Sequence, residues 1–108
     1  MYATRALSPS FGAEVLQFEP SALQSKERID AIKALWAEHK LLLFRNQQFD
    51  EATLVQFSQE FGALEIHVRE EYLSREHPEI LYVSNIEREG RRIGILADTE
   101  VGWHYDQI

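Results

Sequence analysis

The residues of this chain best placed to do chemistry are His104 and Asp106, in the run Gly102-Trp103-His104-Tyr105-Asp106-Gln107-Ile108. On an extended strand, residues two apart point to the same face. An imidazole and a carboxylate on one face can take adjacent positions on a metal ion. They are two of the three ligands in the two-histidine-one-carboxylate set of non-haem iron(II) sites, which leaves positions open for a co-substrate and O2. By the same alternation Tyr105 points away. A third ligand has to come from elsewhere in the protein. A His-x-acid match arises easily by chance. His77-Pro78-Glu79 is a second instance, and its charged, proline-centred setting reads as solvated surface. The other reading of His104 and Asp106 is a structural hydrogen-bonded pair.

The elements that must position these residues are of mixed type. Gly12 to Phe18 alternates well enough for a short strand that Pro20 ends. Ser21 or Ser25 can cap a helix in which Ile29, Ile32, Leu35 and Trp36 recur at helical spacing, closed by Lys40. Leu41-Leu42-Leu43-Phe44 is a continuous apolar run and predicts a buried strand. Asp50 is placed to cap a second helix whose buried stripe is Leu54, Phe57 and Phe61, with Gly62 at its end. Leu64 to His67 predicts a short strand, residues 69–79 an exposed charged loop, and Ile80 to Ser84 another strand. Glu87 to Arg92 predicts a hairpin-like turn, Ile93 to Leu96 a strand, and Trp103 to Asp106 the strand carrying the metal pair. Nothing resembles a repeating βαβ unit. Phe57, Phe61 and Trp36 are core by spacing, and Arg45 and Gln47 are expected to fix a strand end.

Composition narrows the function classes. The 108 residues suit one small domain, with 44% apolar, 11% aromatic and 27% charged residues, as in a soluble folded protein. The formal net charge of −7 is the opposite of a nucleic-acid binder's balance, so a DNA or RNA role is disfavoured. With no cysteine, disulfides, zinc-thiolate sites and thiol catalysis are all excluded, which fits a reducing cytosol and a cytoplasmic protein. The first residues show no signal peptide, and no apolar run reaches membrane-spanning length.

Three stretches together carry a resemblance. Leu41-Leu42-Leu43-Phe44-Arg45-Asn46-Gln47 looks like an apolar strand ending in Phe-Arg-x-Gln. Phe57 to His67, containing Phe61-Gly62-Ala63-Leu64, is similar to a helix ending in Phe-Gly-x-Leu followed by a histidine. Trp103-His104-Tyr105-Asp106 matches a Trp-His-x-Asp metal motif. In this order and at about this spacing, the chain resembles the TauD/TfdA family of Fe(II)- and 2-oxoglutarate-dependent dioxygenases. The resemblance implies an α+β chain, two helices flanking strands, forming the N-terminal portion of a double-stranded β-helix, a jelly-roll-like sandwich. It implies one domain part over residues 1–108 with the C-terminal part absent.

The resemblance also implies His104 and Asp106 as Fe(II) ligands and catalytic residues, 2-oxoglutarate as co-substrate, O2, and hydroxylation of a small organic molecule. His67 stands where taurine-oxidising members place a histidine near the substrate; a polar residue at a strand end is the other reading. Trp103 is expected to pack beside the metal strand or simply in the core. Tyr105 replaces the small Thr or Ser of many members. Glu100 is read as a solvated loop residue. A distal histidine and an arginine for 2-oxoglutarate are expected beyond residue 108. The 108 residues alone are then expected to be inactive, and the alternative is a small inactive interaction or ligand-binding domain. A homo-oligomer stays open, and no membrane partner is expected.

Overall fold

The computed structural model describes residues 2–95 and 100–105. It divides into two compact units, Met1–Leu64 and Glu65–Ile108. No helix among the described residues is long and apolar enough to cross a membrane.

The first unit is a small three-stranded sheet with two helices. Strands β1 (Thr4–Ala6) and β2 (Ala13–Val15) pair antiparallel, and β2 pairs parallel with β3 (Leu42–Leu43) in the order β1-β2-β3. Between β2 and β3 run a 3-10 turn, Pro20–Gln24, and helix α1, Lys26–His39. The sequence dictates each boundary. The strand expected to run to Phe18 ends at Val15, before the Leu16–Gln17 turn, and Pro20 opens the 3-10 turn. Ser25 caps α1, its hydroxyl accepting from the Arg28 N–H. Lys40 closes α1 in the left-handed conformation, with its N–H on the Trp36 carbonyl. Helix α2, Glu51–Gln59, starts as expected at Asp50, whose carboxylate accepts from the Thr53 N–H at 2.7 Å. It ends at Glu60, just before Gly62.

The core is built on Val15, Phe18, Ala22, Leu23, Ile29 and Ile32. Phe18 is its hub: its ring lies 4.9 Å from that of Phe44, 6.0 Å from those of Tyr2 and Phe57, and 6.3 Å from that of Phe49. The expected α2 stripe is only partly right. Phe57 is half-buried against the core, but Leu54 and Phe61 are exposed, and so is Trp36 of α1. Helical spacing puts these residues on the correct side, but a unit of this size has too little opposing surface to cover the whole side. Trp36 and Phe61 instead meet edge to face at 5.5 Å over an open apolar groove that also takes in Leu41, Phe44 and Phe57.

One charged residue sits in this core layer. Glu14, on β2, is 5% exposed. Its carboxylate accepts from Arg5, its cross-strand partner on β1, and lies 3.3 Å from Nε of Arg45, just past β3. Glu14 therefore ties both neighbours of β2 to it. The Arg5 hydrogen bond, followed by the charges of Arg5 and Arg45, holds the Glu14 carboxyl below the ordinary carboxylate range against the upward pull of burial. A depressed folded-state value contributes stability above the unfolded value, and that contribution is lost as pH falls through the folded one. Thermal melts should therefore show a steeper acid loss of stability in the native protein than in Glu14→Gln. Parallel pH profiles for the two would remove Glu14 from the account.

The second unit has little regular structure. A 3-10 turn, Glu70–Tyr72, is followed by a bridge between Leu73 and Leu81, flanked by Ser74 N–H to Ile80 carbonyl at 3.0 Å and Tyr82 N–H to Tyr72 carbonyl at 2.9 Å. The expected hairpin is present: β4 (Glu87–Arg88) pairs with β5 (Arg91–Arg92). Its two-residue turn has Glu89 and Gly90 at φ +53° and +74°, the requirement of a type I′ turn. Gly94 is placed where a Cβ would come within 2.4 Å of the Ser84 backbone nitrogen, so only glycine fits that approach. The strands expected over Leu64–His67 and Ile80–Ser84 are absent, reduced in the second case to the single bridge at Leu81. Their residue types suit a pleated surface, but a strand exists only where a neighbour completes its ladder. Residues 93–95 are a bend, and the rest of the strand expected over 93–96 lies outside the described residues.

Candidate functional site

His104 lies at the end of the described part of the segment running from Glu100 to Tyr105. Glu100, Val101, Gly102, Trp103 and His104 line an open cleft of about 510 Å³. The ring Nδ1 of His104 is 2.9 Å from the Gly102 carbonyl oxygen. A carbonyl only accepts, so Nδ1 carries the proton, and the lone pair of the neutral ring is on Nε2. A backbone carbonyl two residues away thus fixes the tautomer that suits metal ligation through Nε2.

Other expectations for this segment are corrected. Residues 103–105 form no strand. Trp103 is fully exposed and Tyr105 is 83% exposed, so neither packs in a core. The cause is the same as above: no neighbouring strand lies alongside the segment among the described residues, so nothing imposes the pleat or covers the indole. Asp106, the second expected ligand, lies outside the described residues. Among the described residues no group of three or more His, Asp, Glu or Cys side chains could hold a metal ion.

His67 is half-buried, and its Nδ1 accepts from the Arg69 backbone N–H at 3.0 Å. Neutral His67 is therefore the opposite tautomer to His104, with its proton on Nε2. Arg69 pairs with Glu71 at 2.7 Å and lies 5.3 Å from the centre of the Tyr72 ring. Glu71's own backbone N–H, then Arg69, hold its carboxyl below the usual range. Both side chains of this pair are about half exposed, so it steadies the local turn only weakly.

The second His-x-acid match, His77-Pro78-Glu79, is not the solvated surface expected. His77 and Glu79 are half-buried, while Pro78 is exposed. The His77 N–H reaches the Ser74 hydroxyl, and Glu79 Oε2 is sealed from solvent with no hydrogen-bond partner among the described residues. The Arg5–Glu14–Arg45 cluster is the feature that the sequence analysis missed. Its one visible signal is a lone acid inside the apolar run Gly12-Ala13-Glu14-Val15-Leu16, which a strand buried on that face can hold only with a cation beside it. The expectation for Arg45 and Gln47 holds: Arg45 meets Glu14, and the Gln47 amide donates to the Phe18 and Arg45 carbonyls.

Residues 3–108 match the family described as taurine catabolism dioxygenase TauD, TfdA family. The match covers nearly the whole chain, and the chain belongs to that family. Among solved structures, the chain is similar to a Burkholderia xenovorans protein provisionally assigned as an alpha-ketoglutarate-dependent taurine dioxygenase. The TM-score is 0.69 and the identity 24%, over 82% of this chain and 32% of that one. The likeness shows a shared mixed α/β fold, and the chain spans about a third of that protein's length. No curated protein matches the chain.

Proposed function

We propose that this chain is the opening part of an Fe(II)- and 2-oxoglutarate-dependent dioxygenase domain, in which His104 and Asp106 bind the iron. The observation that carries the reading is the family match over residues 3–108, a span that contains Trp103-His104-Tyr105-Asp106. The tautomer of His104 is consistent with it. Nε2 carries the lone pair of the neutral ring, and an imidazole with a carboxylate is the donor set that suits non-haem iron(II). In this reading residues 1–108 belong to one domain, a double-stranded β-helix. Its remaining strands, third ligand (a histidine) and 2-oxoglutarate-binding arginine lie downstream of residue 108.

Bound iron(II), with 2-oxoglutarate and O2, supplies the oxidising chemistry: succinate and CO2 form as a C–H bond of a small organic substrate is hydroxylated. The chain's own residues hold that chemistry in place. The Gly102 carbonyl fixes the ring of His104 and keeps its proton on Nδ1. Asp106 contributes a negative charge that offsets part of the ion's charge. His67 presents Nε2–H as a donor, which suits a substrate oxygen and not a metal. In the full-length protein, 2-oxoglutarate-dependent succinate formation should require both His104 and Asp106. Turnover that survives loss of either one contradicts the proposal.

A further inference from the structure

The first unit holds a cleft that shares no residue with the histidine–carboxylate pair, and three observations converge on it. The first is topology. β2 and β3 are parallel and leave the sheet at the same edge, β2 into Leu16-Gln17-Phe18 and β3 into Phe44-Arg45-Asn46-Gln47. Between these exits lies a cleft of about 560 Å³, lined by Glu14, Gln17, Phe18, Arg45, Asn46 and Gln47 among others. Crevices outside the carboxyl ends of parallel strands are where open α/β sheets bind ligands, and this volume is in the range of small-molecule sites.

The second observation is backbone strain. Gln17 and Asn46, one on each exit, both adopt left-handed conformations, with φ of +57° and +59°. Asparagine tolerates this region; glutamine has no such preference, and glycine would be the unstrained choice at both. Lys40 and Glu89 share this conformation at a helix end and a hairpin turn, whereas Gln17 and Asn46 hold it in two turns that line one cleft. The Gln47 amide, donating to the Phe18 and Arg45 carbonyls, ties the two exits together. Gln17 and Asn46 are both exposed and line the cleft.

The third observation is charge. In this cleft one guanidinium group, that of Arg45, lies beside one buried carboxylate, Glu14, which Arg5 also pairs with from outside the lining, in a protein of net charge −7. Arg45 turns its Nε toward Glu14, while its side chain is 58% exposed. The rest of that planar fork is the natural partner of an oxyanion.

We infer that this cleft binds a small organic oxyanion. Its carboxylate, sulfonate or phosphate group sits on Arg45, and its polar body lies between the Gln17 and Asn46 amides. Phe18 and Val15 supply the apolar side of the cleft. The inference concerns the first unit alone and does not depend on iron binding at His104.

The test follows the Arg45 Nε signal and the Gln17 and Asn46 backbone amides by NMR in the intact chain. Glutarate, methanesulfonate and inorganic phosphate are the probes, each set against sodium chloride at matched ionic strength. At least one probe should give saturable shifts that chloride does not, and the probe that does so identifies the head group. Gln17→Gly with Asn46→Gly keeps φ positive at no steric cost, so the melting temperature should hold or rise while binding weakens by about tenfold or more. Arg45→Lys keeps a cation beside Glu14 but loses the fork, and should also weaken binding. The inference is overturned if no probe saturates, if chloride acts equally, or if the double-glycine and lysine variants both bind like the native chain.

Discussion

His104→Ala in the full-length protein should lower 2-oxoglutarate-dependent succinate formation by at least about 100-fold. Loss of a residue that only orients a ligand typically costs 10- to 100-fold in metal affinity or activity, and loss of a ligand itself should cost more. Only the imidazole can supply the Nε2 lone pair that the Gly102 carbonyl has oriented. His104→Gln is the sharper companion, because it keeps size and polarity. It should lose activity to a similar extent while melting within a few degrees of the native protein, since His104 is exposed and makes no contribution to a core. Retention of half or more of the succinate yield in His104→Ala would mean that the imidazole is not a ligand.

The largest effect on stability is expected at Phe18. Its ring is 5% exposed and is the common partner of Tyr2, Phe44, Phe49 and Phe57. Phe18→Ala removes the hub of that cluster and leaves a void that four rings cannot all collapse into, for a loss of about 3–5 kcal/mol. Small domains hold near the lower end of about 5–15 kcal/mol in total. The first unit should therefore be mostly unfolded by mild heating in the variant, while Phe18→Leu, closer in volume, should keep a cooperative transition. Urea titration followed by far-UV circular dichroism measures both. A Phe18→Ala midpoint close to that of the native protein would show that the aromatic cluster is not the core.

Much of the first unit was legible in the sequence because its signals are local. Ser25, Lys40 and Asp50 cap or close helices through bonds within a few residues, and Pro20 opens the 3-10 turn. The same holds for the hairpin, where Glu89-Gly90 and its flanking arginines specify a turn on their own. The failures have a different cause. Ile80 to Ser84 and Trp103 to Tyr105 have the composition of strands, but strands depend on partners distant in sequence. Trp36 and Phe61 were read as core because periodicity reports the direction of a side chain, not whether anything opposes it.

The candidate site was legible only as a pair of residue types two apart. Neither the hydrogen bond from His104 to Gly102 nor the opposite tautomer of His67 leaves any mark on the spacing. The Arg5–Glu14–Arg45 cluster joins residues nine and thirty-one positions apart, found only once β1, β2 and β3 are in register. His77-Pro78-Glu79 makes the converse point. Its charge and its proline read as solvent, yet local packing seals one Glu79 oxygen.

The claim that His104 and Asp106 hold iron is tested most directly by an anaerobic Fe(II) titration of the full-length protein with 2-oxoglutarate present. The reading is the visible charge-transfer absorption of an Fe(II)–2-oxo acid chelate held in a protein site. The native protein should develop this band stoichiometrically with added Fe(II), and His104→Ala and Asp106→Ala should each fail to develop it while remaining folded. A band of native intensity in either folded variant would contradict the assignment.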